Sequence, residues 1–163
     1  MRPGLRTGDT ERKAHDGIRP IDGPTRVLRV LLVVAVIESF VHYADNTIRY
    51  DDYTVADPSL AGSLVKQWVI PVAWVLFTVA GLVGYRRFRD GRRPEAAAWL
   101  AAYSVSGLIS VLHYTDISVD DLSAFQNTFV FLDVVLGAAV LGVALWLASN
   151  PTRDRRGAQP TAA

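Results

Sequence analysis

The chain has 163 residues, half of them hydrophobic, and its net charge is only +1 at pH 7. It contains no cysteine, which excludes disulfides, thiolate metal sites and iron–sulfur clusters. The charge balance gives no reason to expect nucleic-acid binding, because the basic residues are those that a membrane topology requires. The apolar residues are accounted for by one membrane domain, with no surplus for a separate soluble core.

The two ends of the chain are polar. Residues 1–25 and 149–163 mix Arg, Asp, Gly and Pro without hydrophobic periodicity, which predicts disordered cytoplasmic tails on either side of a domain at 26–148. A signal peptide also begins with a basic region before an apolar stretch. Here nearly thirty residues precede that stretch and no A-x-A-like cleavage site follows it, so we expect it to remain as the first helix.

Four apolar runs lie between these tails. They predict transmembrane helices at about 27–45, 64–85, 95–115 and 126–147, because a helix needs about 20 apolar residues to cross about 30 Å of hydrocarbon. Transmembrane strands are shorter and alternate in polarity. The predicted fold class is therefore an all-α integral membrane protein with four transmembrane helices. Fifteen arginines against two lysines are typical of a GC-rich bacterial genome, which points to a multi-pass protein of the bacterial cytoplasmic (inner) membrane.

Basic residues are concentrated on one side of the predicted membrane. The N-terminal tail through Arg29 holds seven, the loop from Arg86 to Arg93 holds five, and the C-terminal tail holds three. The segments 44–63 and 115–124 together hold only Arg49, although they are rich in Asp. The positive-inside rule therefore predicts that both termini are cytoplasmic, N-in/C-in.

A short motif occurs at the end of the first and third apolar runs. The copies are His42-Tyr43-Ala44-Asp45 and His113-Tyr114-Thr115-Asp116, each with a serine three residues upstream, Ser39 or Ser110. The offset of 71 residues indicates two tandem-repeated helical hairpins. Repeats that run in the same direction are normally related by an axis along the membrane normal. We therefore expect both motifs at the same depth, near the outer face, facing each other across the bundle.

The motif copies bring together side chains that bind divalent metals. Glu38, His42 and Asp45 lie on one helical face, at i, i+4 and i+7, and an ionisable side chain within the hydrocarbon is costly enough to suggest a function. Imidazole and carboxylate ligands suit zinc, manganese or non-haem iron, and helical bundles build such sites from inward-facing Glu and His. The candidate metal ligands are Glu38, His42, Asp45, His113 and Asp116. Tyr43, Tyr114, Asn46 and Asp133 are candidates for orienting them.

Three other functions remain open for the same cluster. It could be a structural polar network in an accessory subunit that docks a membrane-protein partner, or in a homo-oligomer. The two histidines could instead be the axial ligands of a haem in an electron carrier. The buried carboxylates could also relay protons or cations in an oligomeric transporter. No nucleotide-binding, serine-hydrolase or dithiol motif is present, so the sequence leaves open whether the protein is an enzyme.

Two features predict how the helices pack. Small residues recur every four positions on the third run, at Ala98, Ala102, Ser106 and Ser110, which predicts a close-packed face leading to His113. Pro71, near the outer end of the second run, predicts a kink or a loosened turn there.

Overall fold

The computed structural model describes residues 23–53 and 66–151. These residues are almost entirely helical and contain no strand, and four of their helices are long and apolar enough to cross a membrane. The protein is therefore an all-helical, multi-pass membrane protein whose apolar helices are suited to a lipid bilayer. Most of the predicted tails and residues 64–65 of the second predicted span lie outside the described residues.

The helices follow one another with short connections except between the first two, where residues 49–68 intervene and 54–65 lie outside the described residues. We number them α1 (Gly23–Ile48), α2 (Val69–Arg89), α3 (Arg93–Leu108), α4 (His113–Asp116) and α5 (Ala124–Ser149). A 3-10 segment, Ile109–Leu112, joins α3 to the single turn of α4, so that together they form the third candidate span, Arg93–Thr115. Further 3-10 turns at Tyr50–Tyr53 and Val119–Asp121 follow α1 and α4.

The helix ends have local causes in the sequence. The first helix is described from Gly23, inside the predicted tail, and Pro24 is compatible with a position near a helix start because its missing N–H would have no helical partner there. The last helix begins at a capping box, in which Ser123 and Gln126 satisfy each other's backbone N–H groups. Gly91, with φ of +76°, makes the tight turn between α2 and α3.

The four long helices, α1, α2, α3 and α5, are arranged so that each packs against two neighbours. α1 packs against α2 and α5, and α3 packs against the same two helices, so α1 and α3 lie diagonally opposite. Along the length of the bundle, the core has an apolar half and a polar half. Its half near the α2–α3 turn is apolar and includes Leu28, Leu32, Leu100, Val140 and Leu147. Its other half holds buried polar side chains, namely Glu38, Ser39, His42, Asn46, Ser104, Ser106, Ser110, Gln126 and Asp133.

The closest approach of two helices is between α3 and α5. A Cβ atom on Gly107 would overlap the backbone oxygen of Asp133, and the Cα of Gly137 lies next to it. Two helix backbones can approach this closely only where side chains are absent. This contact brings the backbone of Asp133 against α3 and fixes the side chain's position in the polar half of the core.

The predictions made from the row of small residues on the third span and from Pro71 are wrong in part. Ala98 and Ala102 are not buried, whereas Ser106 and Ser110 are. Residues spaced by four advance about 400° around a helix, so the row turns by about 40° at each step and leaves the interface. Pro71 lies in the first turn of α2, where it removes no helical hydrogen bond, and therefore has no reason to kink the helix.

Candidate polar site in the bundle

The two motif histidines meet in the polar half of the core. Their ring centroids are 5.6 Å apart, and the side chain of His42 is only 1% exposed. His42 comes from the continuous helix α1, whereas His113 begins α4 after the 3-10 segment. The expectation that these histidines face each other inside the bundle is confirmed.

The amide of Asn46 lies between the two imidazoles. Its Nδ2 atom is 3.0 Å from Nε2 of His42 and 3.2 Å from Nε2 of His113. In this orientation the NH₂ group of the amide donates, and each imidazole accepts through Nε2. The two Nε2 atoms therefore point to the same place.

A pair of carboxyl groups adjoins the histidines. Asp133, from α5, and Glu38, from α1, lie close enough for their carboxyl groups to interact electrostatically. No hydrogen-bond partner among the described residues reaches either Glu38 oxygen. Oδ2 of Asp133 also accepts a 2.8 Å hydrogen bond from Ser110 and lies 3.8 Å from Nε2 of His42. The imidazole pair and the carboxyl pair thus form one cluster.

Asp45 is engaged away from this cluster. Its Oδ2 accepts a 2.8 Å hydrogen bond from the Tyr53 hydroxyl, and its Oδ1 is 3.3 Å from Nε of Arg49. Burial, and then the hydrogen bond to Asp45, raise the pKa of Tyr53 above its usual value near 10, so its hydroxyl stays a donor at neutral pH. The Tyr53 ring lies 4.9 Å from that of His113 and 6.4 Å from that of His42. Tyr53 therefore links Asp45 to the two histidines.

The remaining predicted residues lie around the cluster. Tyr43 donates a 3.3 Å hydrogen bond to the backbone oxygen of Ser106, which joins α1 to α3. Tyr114 donates a 2.9 Å hydrogen bond to Oδ1 of Asn127 at the start of α5. Asp116 is the last residue of α4, and its side chain lies outside the described structure. Both motif tyrosines therefore form a hydrogen bond to a neighbouring helix.

Several buried polar atoms in the cluster have no hydrogen-bond partner from the protein. These are both oxygens of Glu38, Nδ1 of His42 and Oδ1 of Asn46. Leaving such a group unsatisfied costs about 1–3 kcal/mol, and buried groups of this kind require a specific explanation. Their concentration in one place suggests that the cluster serves more than packing.

The cluster does not contain a ready-made metal site. Within residues 23–53 and 66–151, no three His, Asp or Glu side chains are arranged to hold an ion as they stand. The place where the two Nε2 lone pairs meet is filled by the Asn46 amide. A cation bound there would have to displace that amide.

Sequence reasoning underestimated two residues and missed one. Asn46 and Asp133 were expected only to orient ligands, but they lie at the centre of the contacts. Tyr53 was not predicted at all, because a tyrosine in a short connecting segment follows no helical period. The serine preceding each motif did carry a signal, since Ser110 is the residue that hydrogen-bonds Asp133.

Comparison with protein-family models, with curated proteins and with solved structures finds no match to this chain. The geometry of the cluster is therefore the basis for assigning a function.

Proposed function

We propose that the polar half of the bundle is a divalent-cation site. The observation that carries this proposal is the convergence of the His42 and His113 Nε2 atoms on a single amide group, with the Glu38–Asp133 carboxyl pair alongside. Neutral imidazole with a free Nε2 lone pair is the form in which histidine binds metals. Two imidazole nitrogens and two carboxylate oxygens make a four-ligand set suited to zinc, with manganese and iron(II) as alternatives.

The proposed ligands differ in part from those predicted from the sequence. Glu38, His42 and His113 are retained, and Asp133 replaces Asp45, whose carboxylate is already engaged by Tyr53 and Arg49. Binding would move the Asn46 amide aside and place the cation between the imidazole nitrogens and the two carboxyl groups. The partnerless oxygens of Glu38 would then gain a charge partner, which offsets part of the cost of burying them.

A haem is disfavoured by the packing around the same histidines. A porphyrin needs a flat, apolar slot between its two axial ligands. The space between His42 and His113 is instead filled by the Asn46 amide, with the Tyr53 ring and the Asp133 carboxyl close by. We therefore prefer a small cation to a haem.

We also propose the arrangement in the membrane that the sequence predicts. The bundle lies in a bacterial cytoplasmic membrane with both termini inside, and its two hairpins derive from a tandem duplication. The distribution of arginines supports the orientation. The meeting of the two His-Tyr-x-Asp motifs across the bundle supports the duplication. In this orientation the polar half of the core is the outer half.

The structural-network alternative has one observation in its favour. The hydrogen bond from Asn46 to His113 and the approach of His42 to Asp133 already connect α1 to α4 and α5. In that case the protein would serve as an accessory subunit or a homo-oligomer, and removal of a cluster side chain would change stability alone. Metal binding separates the two possibilities.

The test is elemental analysis of the full-length protein, purified in detergent, exposed to zinc or manganese and dialysed. We expect about one ion per chain, and at least tenfold weaker binding in His42→Ala and His113→Ala, which is about 1.4 kcal/mol. His15→Ala is the matched control, because it removes the one histidine that is not a proposed ligand. Absence of a bound ion, or equal loss in His15→Ala, would contradict the cation site.

A further inference from the structure

The basic turn between α2 and α3 contains five arginines, and three of them are engaged by the protein. Arg87 pairs with Glu95 at 3.3 Å, and Arg92 pairs with the same carboxylate. Arg93 donates a 3.0 Å hydrogen bond to the backbone oxygen of Asn150 and lies over the Trp146 ring. Contacts within the protein therefore account for the positions of these three arginines.

The other two arginines have no such partner. Among the described residues, Arg86 and Arg89 form no ion pair or hydrogen bond through their side chains, and both are exposed. Spaced by three positions, they lie on one face of the last turn of α2. Together with Tyr85 and Asp90 they line a cavity of about 420 Å³ that is open at the surface of α2. Two guanidinium groups and a phenol thus border this cavity, against a single carboxylate.

The position of the cavity indicates what would fill it. α2 has 21 residues and is therefore about 31 Å long, close to the thickness of the hydrocarbon. Its last turn lies at the level of the lipid headgroups. Guanidinium groups bind phosphate oxygens in a bidentate manner, and the tyrosine hydroxyl is a further donor.

We propose that Arg86, Arg89 and Tyr85 form a binding site for the phosphate of an anionic phospholipid. The acyl chains of the lipid would lie along the exposed apolar side of α2, which includes Leu82 and Val79. Asp90 disfavours a second negative charge at the cavity, so the site suits a singly charged phosphodiester better than a dianionic phosphate. This site is independent of the proposed cation site, which lies in the other half of the bundle.

The test compares two double variants of the full-length protein in detergent. Arg86→Gln/Arg89→Gln removes the two unpaired arginines, and Arg87→Gln/Arg92→Gln removes the same charge from the two that pair with Glu95. Binding of phosphatidylglycerol and phosphatidylcholine is measured by native mass spectrometry. We expect the affinity for phosphatidylglycerol to fall by roughly tenfold or more in the first variant and by less than about threefold in the second.

Three results would overturn the proposal. Equal loss in both variants would mean general attraction between a basic surface and an anionic lipid, and no loss in either would mean that the lipid binds elsewhere. Displacement of phosphatidylglycerol by inorganic phosphate at about 10 mM would assign the cavity to a soluble anion, because the acyl chains should hold the lipid in place. Far-ultraviolet circular dichroism shows whether each variant retains its helices, so a binding loss counts only in a folded protein.

Discussion

Asn46 is the residue on which the histidine pair depends. Its side chain is 5% exposed and donates to both imidazoles, one on its own helix and one on α4. Its carbonyl oxygen has no partner, so the amide is held through its NH₂ group alone. An amide in this position both links the two helices and occupies the place proposed for a cation.

We predict that Asn46→Ala separates these two roles. Loss of both hydrogen bonds should lower the free energy of unfolding by about 1–3 kcal/mol in metal-free protein, measured by denaturant unfolding in detergent. Zinc affinity should not fall, since the substitution removes the competing donor and leaves all four ligands. Asn150→Ala, at the exposed end of α5, is the control and should change stability by no more than about 0.5 kcal/mol. A loss of zinc affinity as large as in His42→Ala would show that Asn46 is itself needed for binding.

Individual residues of the site were predictable to different degrees. His42 and His113 were found because a repeated motif marks them, and their proximity follows from the diagonal arrangement of α1 and α3. Asp133 and Asn46 belong to no repeat: the packing of α5 against α3 reveals the position of Asp133, and the contact between α1 and α4 reveals that of Asn46. The contacts of Asp45 depend on Tyr53, which lies eight residues away in a 3-10 turn that the sequence pattern does not specify.

At the scale of the helices, the 3-10 segment accounts for the unequal environments of the two motifs. A 3-10 helix has three residues per turn instead of 3.6, so Ile109–Leu112 changes the angular position of the residues that follow. Ile109, which corresponds to Glu38 in the other repeat, is 46% exposed. His113 nevertheless faces the interior. The partner of Glu38 is therefore Asp133 on α5 rather than a residue of the second motif.

We predict that the Gly107 contact controls the position of Asp133. Gly107→Ala should destabilise the protein by about 1–3 kcal/mol, because its Cβ would overlap the Asp133 backbone oxygen, which cannot move aside as a flexible side chain could. It should also weaken zinc binding. Gly142→Ala is the matched control, since nothing lies within 4 Å of its Cβ, and it should be neutral or stabilising by up to about 1 kcal/mol. Equal stability of the two variants in thermal unfolding would contradict this account.

At the scale of the whole molecule, four spanning helices were predictable from hydropathy alone, because length and composition determine which segments can cross a bilayer. The exact ends were not, since they depend on local features such as the Ser123 capping box. The division of the core into an apolar and a polar half was partly visible, because the buried polar residues of α1 all lie in its second half. The contribution of α5 to the polar half required the structure.

The proposed orientation predicts the outcome of cysteine labelling. The native chain has no cysteine, so a single introduced one reports its own location. Asp120→Cys should react with a membrane-impermeant maleimide in intact cells, whereas Asp90→Cys should react only after permeabilisation. Asp90 is a better position for the introduced cysteine than Gly91, because the φ of +76° at Gly91 disfavours any other residue. Labelling of Asp90→Cys in intact cells would contradict the proposed orientation and indicate the opposite one.

The most direct measurement of the cation site is X-ray absorption at the zinc edge of the zinc-loaded, full-length protein. We expect two imidazole nitrogens and two carboxylate oxygens at about 2.0–2.2 Å from the zinc ion. Zinc affinity should fall at least tenfold in Glu38→Gln, which replaces one anionic oxygen by a neutral amide of the same shape. A spectrum without imidazole scattering, or one that is unchanged when both His42 and His113 are replaced by alanine, would contradict the site and leave the cluster as a structural network.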